Sequence, residues 1–127
     1  MSGDPHINPE VQARSLSIKE NIIASLKNAY RHGVTIGWGT DIVQTAYEKD
    51  PGVEFRPRKE WLEYKNEDII KQATINSAKL MYLDDKIGTV KEGKNADLIV
   101  VSGDPVEDIT VMYSGPEHVI KGGRLIR

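Results

Sequence analysis

A helix that runs straight into a strand, with a carboxylate at the strand's far end, constrains this chain more than any other feature. The stretch is Gly33-Val34-Thr35-Ile36-Gly37-Trp38-Gly39-Thr40-Asp41. Val34, Ile36 and Trp38 alternate with small or polar residues, which is the period of a β-strand. Gly39 opens backbone conformations that a Cβ would close. The strand therefore ends on Asp41, and in βα architectures that edge of the sheet is where ligands and catalysis gather. An α/β fold class follows for this part of the chain.

The helix before the strand has readable ends. Residues 1–14 carry Pro5 and Pro9 and read as irregular. Ser17-Ile18-Lys19-Glu20 has capping-box spacing. Ile18, Ile22, Leu26 and Ala29 then recur every three or four residues, with Ile23 and Tyr30 widening the stripe. Gly33 is a natural residue to close such a helix. After Asp41, residues 42–48 read as the start of a short helix, and residues 49–65 as a loop. Asp50-Pro51-Gly52 is turn chemistry. Arg56-Pro57-Arg58-Lys59 is basic but flanked by Glu54, Glu60 and Glu63, so it reads as solvated loop rather than as a phosphate site.

Residues 66–83 form the second predicted helix, capped by Asn66, with Glu67 and Asp68 in its positive first turn. Its apolar stripe is Ile69, Ala73, Ser77 and Leu80. The small residues Ala73, Ser77 and Ala78 predict close packing on another backbone. Thr74 and Asn76 read as surface or local hydrogen bonders. From residue 84 the character changes. Ile87-Gly88-Thr89-Val90 reads as a short strand. Ala96-Asp97-Leu98-Ile99-Val100-Val101 reads as a strand buried on both faces. Val111-Met112-Tyr113 and His118-Val119-Ile120 read as further strands, and Gly122-Gly123 as a two-residue hairpin turn into Leu125-Ile126. The boundary is thus drawn at 83/84, with helix and strand before it and strands and turns after it.

Composition limits the chemistry. A chain of 127 residues, 39% hydrophobic and 28% charged, can bury a core. Its net charge of -2 gives no electrostatic case for nucleic acid or an anionic membrane. With no cysteine there is neither a disulfide framework nor a thiolate metal site, which fits a reducing, cytoplasmic setting. No apolar run reaches membrane-spanning length, and the polar start is not a signal peptide. His6, His32 and His118 have no histidine partner at metal-binding spacing and read as structural. Gly37-Trp38-Gly39 lacks the third glycine of a dinucleotide fingerprint. Asp41 itself has two readings. It can cap a helix beginning near Ile42, which local pattern alone favours, or it can act chemically. One carboxylate cannot hold a catalytic metal, which takes about three protein ligands.

Five segments taken together, in register, resemble the amidohydrolase superfamily. Gly33-Val34 through Gly39-Thr40-Asp41 is similar to its "GV…GTD" segment on the eighth barrel strand. Ala73-Thr74-Ile75-Asn76-Ser77-Ala78 resembles its "ATxNxA" helix. Ile87-Gly88-Thr89-Val90 through Ala96-Asp97-Leu98-Ile99-Val100-Val101 resembles its "IGxxxxGxxADLVV" strand pair. Ser102-Gly103-Asp104-Pro105 and Val119-Ile120-Lys121-Gly122-Gly123-Arg124 are similar to its closing segments. The nearest subgroup is the imidazolonepropionase and Xaa-Pro dipeptidase-like enzymes.

The resemblance implies a fold: residues 1–83 as the last part of a (β/α)₈ barrel, residues 84–127 as the C-terminal strands of a small β-sandwich. It implies hydrolysis of amide or related C–N bonds in small molecules or dipeptides, with one or two divalent metals, zinc among them. It makes Asp41 both a metal ligand and the group that takes the proton of the attacking water, which agrees with what a carboxylate can do beside activated water. The sequence has no His-x-His, no bridging-lysine region and no further histidine strands. The expectation is therefore a carboxyl-terminal piece, without tight metal of its own and inactive alone, that associates with itself or with the missing amino-terminal part. The rival expectation is a non-catalytic β-rich module that pairs with another chain.

Overall fold

The computed structural model describes residues 8–40 and 49–127. The chain divides into two compact units, Met1–Val34 and Thr35–Arg127.

The first unit is built on α1 (Pro9–Arg31). It starts a full turn and more before the Ser17 position that the capping box suggests. Asn8 is the cap: its Oδ1 accepts from the Glu10 N–H at 2.9 Å. Pro9 follows at the first helical position, where its missing N–H costs nothing and its φ is already helical. Ser17 is an interior residue. The other end is as expected. Gly33 has φ +71°. Its N–H reaches the Tyr30 carbonyl, and the Val34 N–H reaches that of Ala29, both at 3.1 Å. This is the Schellman closure, in which a glycine bears the left-handed residue.

In the second unit, residues 35–40 are extended but belong to no sheet, so the expected strand is not a ladder member. A strand needs a neighbour for its N–H and C=O groups; here two of them are met by helix side chains instead. After the Asp50-Pro51-Gly52 turn, α2 (Phe55–Glu60) replaces the expected loop. Asp50 Oδ1 accepts from Gly52 N–H at 3.2 Å. The next helix runs as α3 (Asn66–Lys71), a π turn (Gln72–Asn76) and α4 (Ser77–Leu80). The extra residue in the wide turn moves the buried face along by one. Ile69 and Ala78 are buried, nine apart, whereas Ser77 is half-buried and Leu80 exposed. Asn66 is the first helical residue rather than the cap. Its amide instead donates to the Val106 carbonyl at 2.9 Å and the Glu107 carbonyl at 3.3 Å.

α4 also ends in a Schellman closure. Tyr82 N–H reaches Lys79 O and Leu83 N–H reaches Ala78 O. Here the left-handed residue is Tyr82, with φ 56°. A Cβ there costs roughly 1–2 kcal/mol, and the ring, 90% exposed, recovers little by packing. Tyr82→Gly is expected to raise stability by about 0.5–1 kcal/mol, since glycine's own entropy takes back part of the gain. A shift of the urea midpoint to higher concentration checks it; a lower midpoint would contradict it.

Residues 84–97 are turns. The Lys94 ammonium donates to the Asp84 and Ile87 carbonyls, and the Asn95 N–H to the Lys86 carbonyl, so residues 87–90 close a loop rather than form a strand. Three short strands follow, in the order β1 (Leu98–Val100), β2 (His118–Lys121), β3 (Arg124–Leu125), all antiparallel. Leu98 pairs with Ile120 and Val100 with His118; Ile120 pairs with Leu125. Gly122 and Gly123 both have positive φ, as a type I′ hairpin turn demands. Asp97 holds that turn from β1's side: its Oδ1 accepts from Gly122 N–H at 2.8 Å and its Oδ2 from the Lys121 ammonium. These bonds, Lys121's first, draw its carboxyl below the usual carboxylate range.

Two strand expectations fail. β1 is not buried on both faces: Ile99 is 52% exposed and Val100 41%. Residues 109–112 form a 3₁₀ helix (Ile109–Met112), not a strand. Asp108 starts it by accepting the Thr110 N–H at 2.9 Å, a local bond that competes with extended structure. The core of this unit is Tyr64, Ile69, Gln72, Ala78, Ile109 and Met112, where α2 and α3 meet each other and α2 meets the 3₁₀ helix.

Candidate active site

Asp41 and residues 42–48, including any helix it might cap, lie outside the described residues. So does His6. What the structure describes is the frame leading to Asp41. The Trp38 N–H donates to Ser77 Oγ at 2.8 Å. The Asn76 amide donates to the Ile36 carbonyl at 3.2 Å. Both partners sit at the end of the π turn, some 40 residues away in sequence. Asn76 is thus a long-range tie and not a local one. Thr74 behaves as expected, its Oγ1 donating to the Ile70 carbonyl at 2.7 Å.

The Trp38 ring is held on both sides. Phe55 lies 4.6 Å away, centroid to centroid. The Arg58 guanidinium stands 4.1 Å over the indole, close enough for cation–π attraction. Arg58 is only 11% exposed and is satisfied by three acceptors: the Glu54 carboxylate, the Glu54 carbonyl at 3.1 Å and Gln72 Oε1 at 3.2 Å. The expected solvated basic loop is therefore a buried hub, and it explains how Gln72 can be buried without an orphaned amide oxygen. Nearby Tyr64 has its hydroxyl pKa raised by burial, with Arg58 pulling the other way. Arg56 pairs with Asp50 and stands 4.8 Å over the Tyr113 ring.

Beside the extended segment is a shallow cavity of about 300 Å³ lined by Gly37, Trp38, Gly39, Ser77, Leu80 and Met81. His32 follows α1 as its cap, its Nδ1 set 2.9 Å from the Asn28 carbonyl, and His118 begins β2. Both are placed as structural residues. Among the described residues no three His, Asp or Glu side chains gather as a metal would require. The described residues therefore do not fit a metal centre, and no catalytic step on them is routed through one. Arg58, Gln72, Asn76 and Ser77 were the site-framing residues that spacing did not single out. For Ser77 the signal was its small size; for the others there was none.

Comparison with known proteins decides the family. Residues 6–126 match the Amidohydrolase family. The chain belongs to the amidohydrolase family. Imidazolonepropionase of Picrophilus torridus is 43% identical over 47 residues, which are 37% of this chain and 12% of that enzyme. A solved Xaa-Pro dipeptidase with bound methionine in its active site is 34% identical, with a TM-score of 0.78. It covers 98% of this chain and 30% of its own length. A. niger ochratoxinase is 27% identical at a TM-score of 0.82, covering 95% of this chain and 28% of its own. This amidohydrolase chain thus spans under a third of the solved relatives it matches. It is a partial domain of mixed helix and strand, drawn from a family that is generally metal-dependent. Among the described residues no helix is long and apolar enough to cross a membrane.

Proposed function

We propose that this chain is the C-terminal portion of a metal-dependent amidohydrolase that cleaves amide or other C–N bonds, in the manner of Xaa-Pro dipeptidases or imidazolonepropionases. The observation that carries the reading is the match to the Xaa-Pro dipeptidase, in which 98% of this chain finds a counterpart at 34% identity. In this reading residues 1–83 are the end of the barrel and residues 84–127 the closing strands of the sandwich. Asp41 is the catalytic carboxylate: it takes the proton of the attacking water and contributes one ligand to a divalent metal, zinc by preference. The remaining ligands come from the part of the enzyme that carries the histidines, so the chain works in association with that part on a small amide or dipeptide.

The exposed apolar residues are what such dependence needs. Val11, Leu16, Ile18 and Ile22 of α1 and Ile99, Leu125 and Ile126 near the sheet are all more than half exposed, and apolar surface of this kind drives association. The reading predicts that calorimetry finds no tight one-to-one zinc binding to the chain alone, because three protein ligands are the usual minimum for a catalytic zinc. Tight stoichiometric zinc on the isolated chain would contradict it.

A further inference from the structure

The π turn at Gln72–Asn76 ends in two side chains that grip one extended segment. Ser77 Oγ donates to the Gln72 carbonyl, five residues back, at 2.7 Å. With its one proton so used, the oxygen is left aimed as an acceptor, and the Trp38 N–H donates to it at 2.8 Å. One residue earlier the Asn76 amide donates to the Ile36 carbonyl at 3.2 Å. An N–H and a C=O two residues apart are thus met as a neighbouring strand would meet them. Gly37 lies between, and the approach is close: a Cβ there would fall 2.7 Å from Leu80 Cδ1 and 3.4 Å from Ser77 Oγ. Phe55 and Arg58 bear on the Trp38 ring from its two neighbours' sides. Asp41 follows Trp38 by three residues. π turns inside α-helices occur often at functional sites, and here the wide turn is what delivers Asn76 and Ser77 in succession to the segment.

We propose that Ser77 and Asn76 are positioning residues for Asp41, fixing the height and register of residues 36–38 so that the carboxylate three residues on is presented at a set place. The proposal rests on the reading of Asp41 as the catalytic carboxylate.

The test uses this chain co-expressed with the amino-terminal part of a Xaa-Pro dipeptidase relative, assayed on a Xaa-Pro dipeptide. Ser77→Ala should speed exchange of the Trp38 amide and lower kcat about a hundredfold, the cost typical of a small misplacement at a reacting centre, with KM unchanged. Ser77→Thr, which keeps the hydroxyl, should restore most of the rate. In an Asp41→Asn background Ser77→Ala should cost little more, because the two act as one unit and their effects do not add. Should Ser77→Ala fail to fold, Asn76→Leu removes the amide donor at similar volume and must show the same kcat loss and the same non-additivity. An active wild-type complex in which these variants keep full kcat, or in which their loss multiplies in full onto Asp41→Asn, overturns the proposal alone. A wild-type complex without hydrolysis overturns the reading of Asp41 and the proposal with it.

Discussion

Asp41→Asn, in a complex of this chain with its complementary amino-terminal part, is expected to lose ~10²–10⁴-fold in turnover, the usual worth of a positioned proton-transfer group. The substitution keeps the side chain's size. It also keeps its ability to cap a helix, because Asn and Asp rank together at that position. What it removes is the negative charge. A neutral amide cannot accept the proton of the attacking water and is a poor metal ligand. The two readings of Asp41 therefore agree on stability and part by orders of magnitude in rate. Steady-state kinetics beside a thermal melt decides between them. Unchanged melting with a lost rate assigns Asp41 to the chemistry; near-full turnover reduces it to a structural residue.

Gly88→Ala should be among the most damaging single-methyl changes in the chain. Gly88 has φ +89°, which disfavours any side chain. A Cβ there would also lie 2.7 Å from Ala78 Cβ and 3.0 Å from Ile75 Cα. Neither neighbour is the loose end of a flexible side chain. Ile75 belongs to the π turn, and Ala78 is buried in α4 just after it. Relief therefore requires the 84–97 loop to lift off the helix. That loop is pinned by the Lys94 ammonium on the Asp84 and Ile87 carbonyls. Backbone strain and overpacking together put the cost at roughly 2–5 kcal/mol. Chemical denaturation of the variant beside the parent measures it, and a loss of only a few tenths of a kcal/mol would show that the loop does not seat on the helix as described.

The elements that could be read from the residues were those whose signal is local. Gly33 closing α1, the Asp50-Pro51-Gly52 turn and the Gly122-Gly123 hairpin each depend on one or two residues with a conformational requirement of their own. The small residues Ala73 and Ala78 predicted a close backbone approach, and Gly88 supplies it. Misreadings came where a partner distant in sequence, or absent from the chain, decides the outcome. Residues 34–38 have the alternation of a strand but no neighbouring strand, so the side chains of Asn76 and Ser77 take that place. Val111-Met112-Tyr113 is apolar enough for a strand, yet Asp108 captures the Thr110 N–H and winds the segment into a 3₁₀ turn. Ser17 fits a capping box, but Asn8-Pro9 upstream offers a cap and a preset φ, and the helix extends to them. Arg58 looked solvated because its acidic neighbours were visible in the sequence, while Gln72 and Trp38, the partners that bury it, were not. The family resemblance was legible because five weak segments occur in one order. None of them alone would have carried it.

The account stands on the claim that this chain supplies one part of a hydrolase whose other ligands lie elsewhere. The direct measurement is hydrolysis of a Xaa-Pro dipeptide, in zinc-containing buffer, by this chain, by the amino-terminal part of a relative, and by the two co-expressed. The account predicts turnover by the pair and by neither part alone. Hydrolysis by the isolated chain would contradict it, as would an inactive pair under conditions where the intact relative is active.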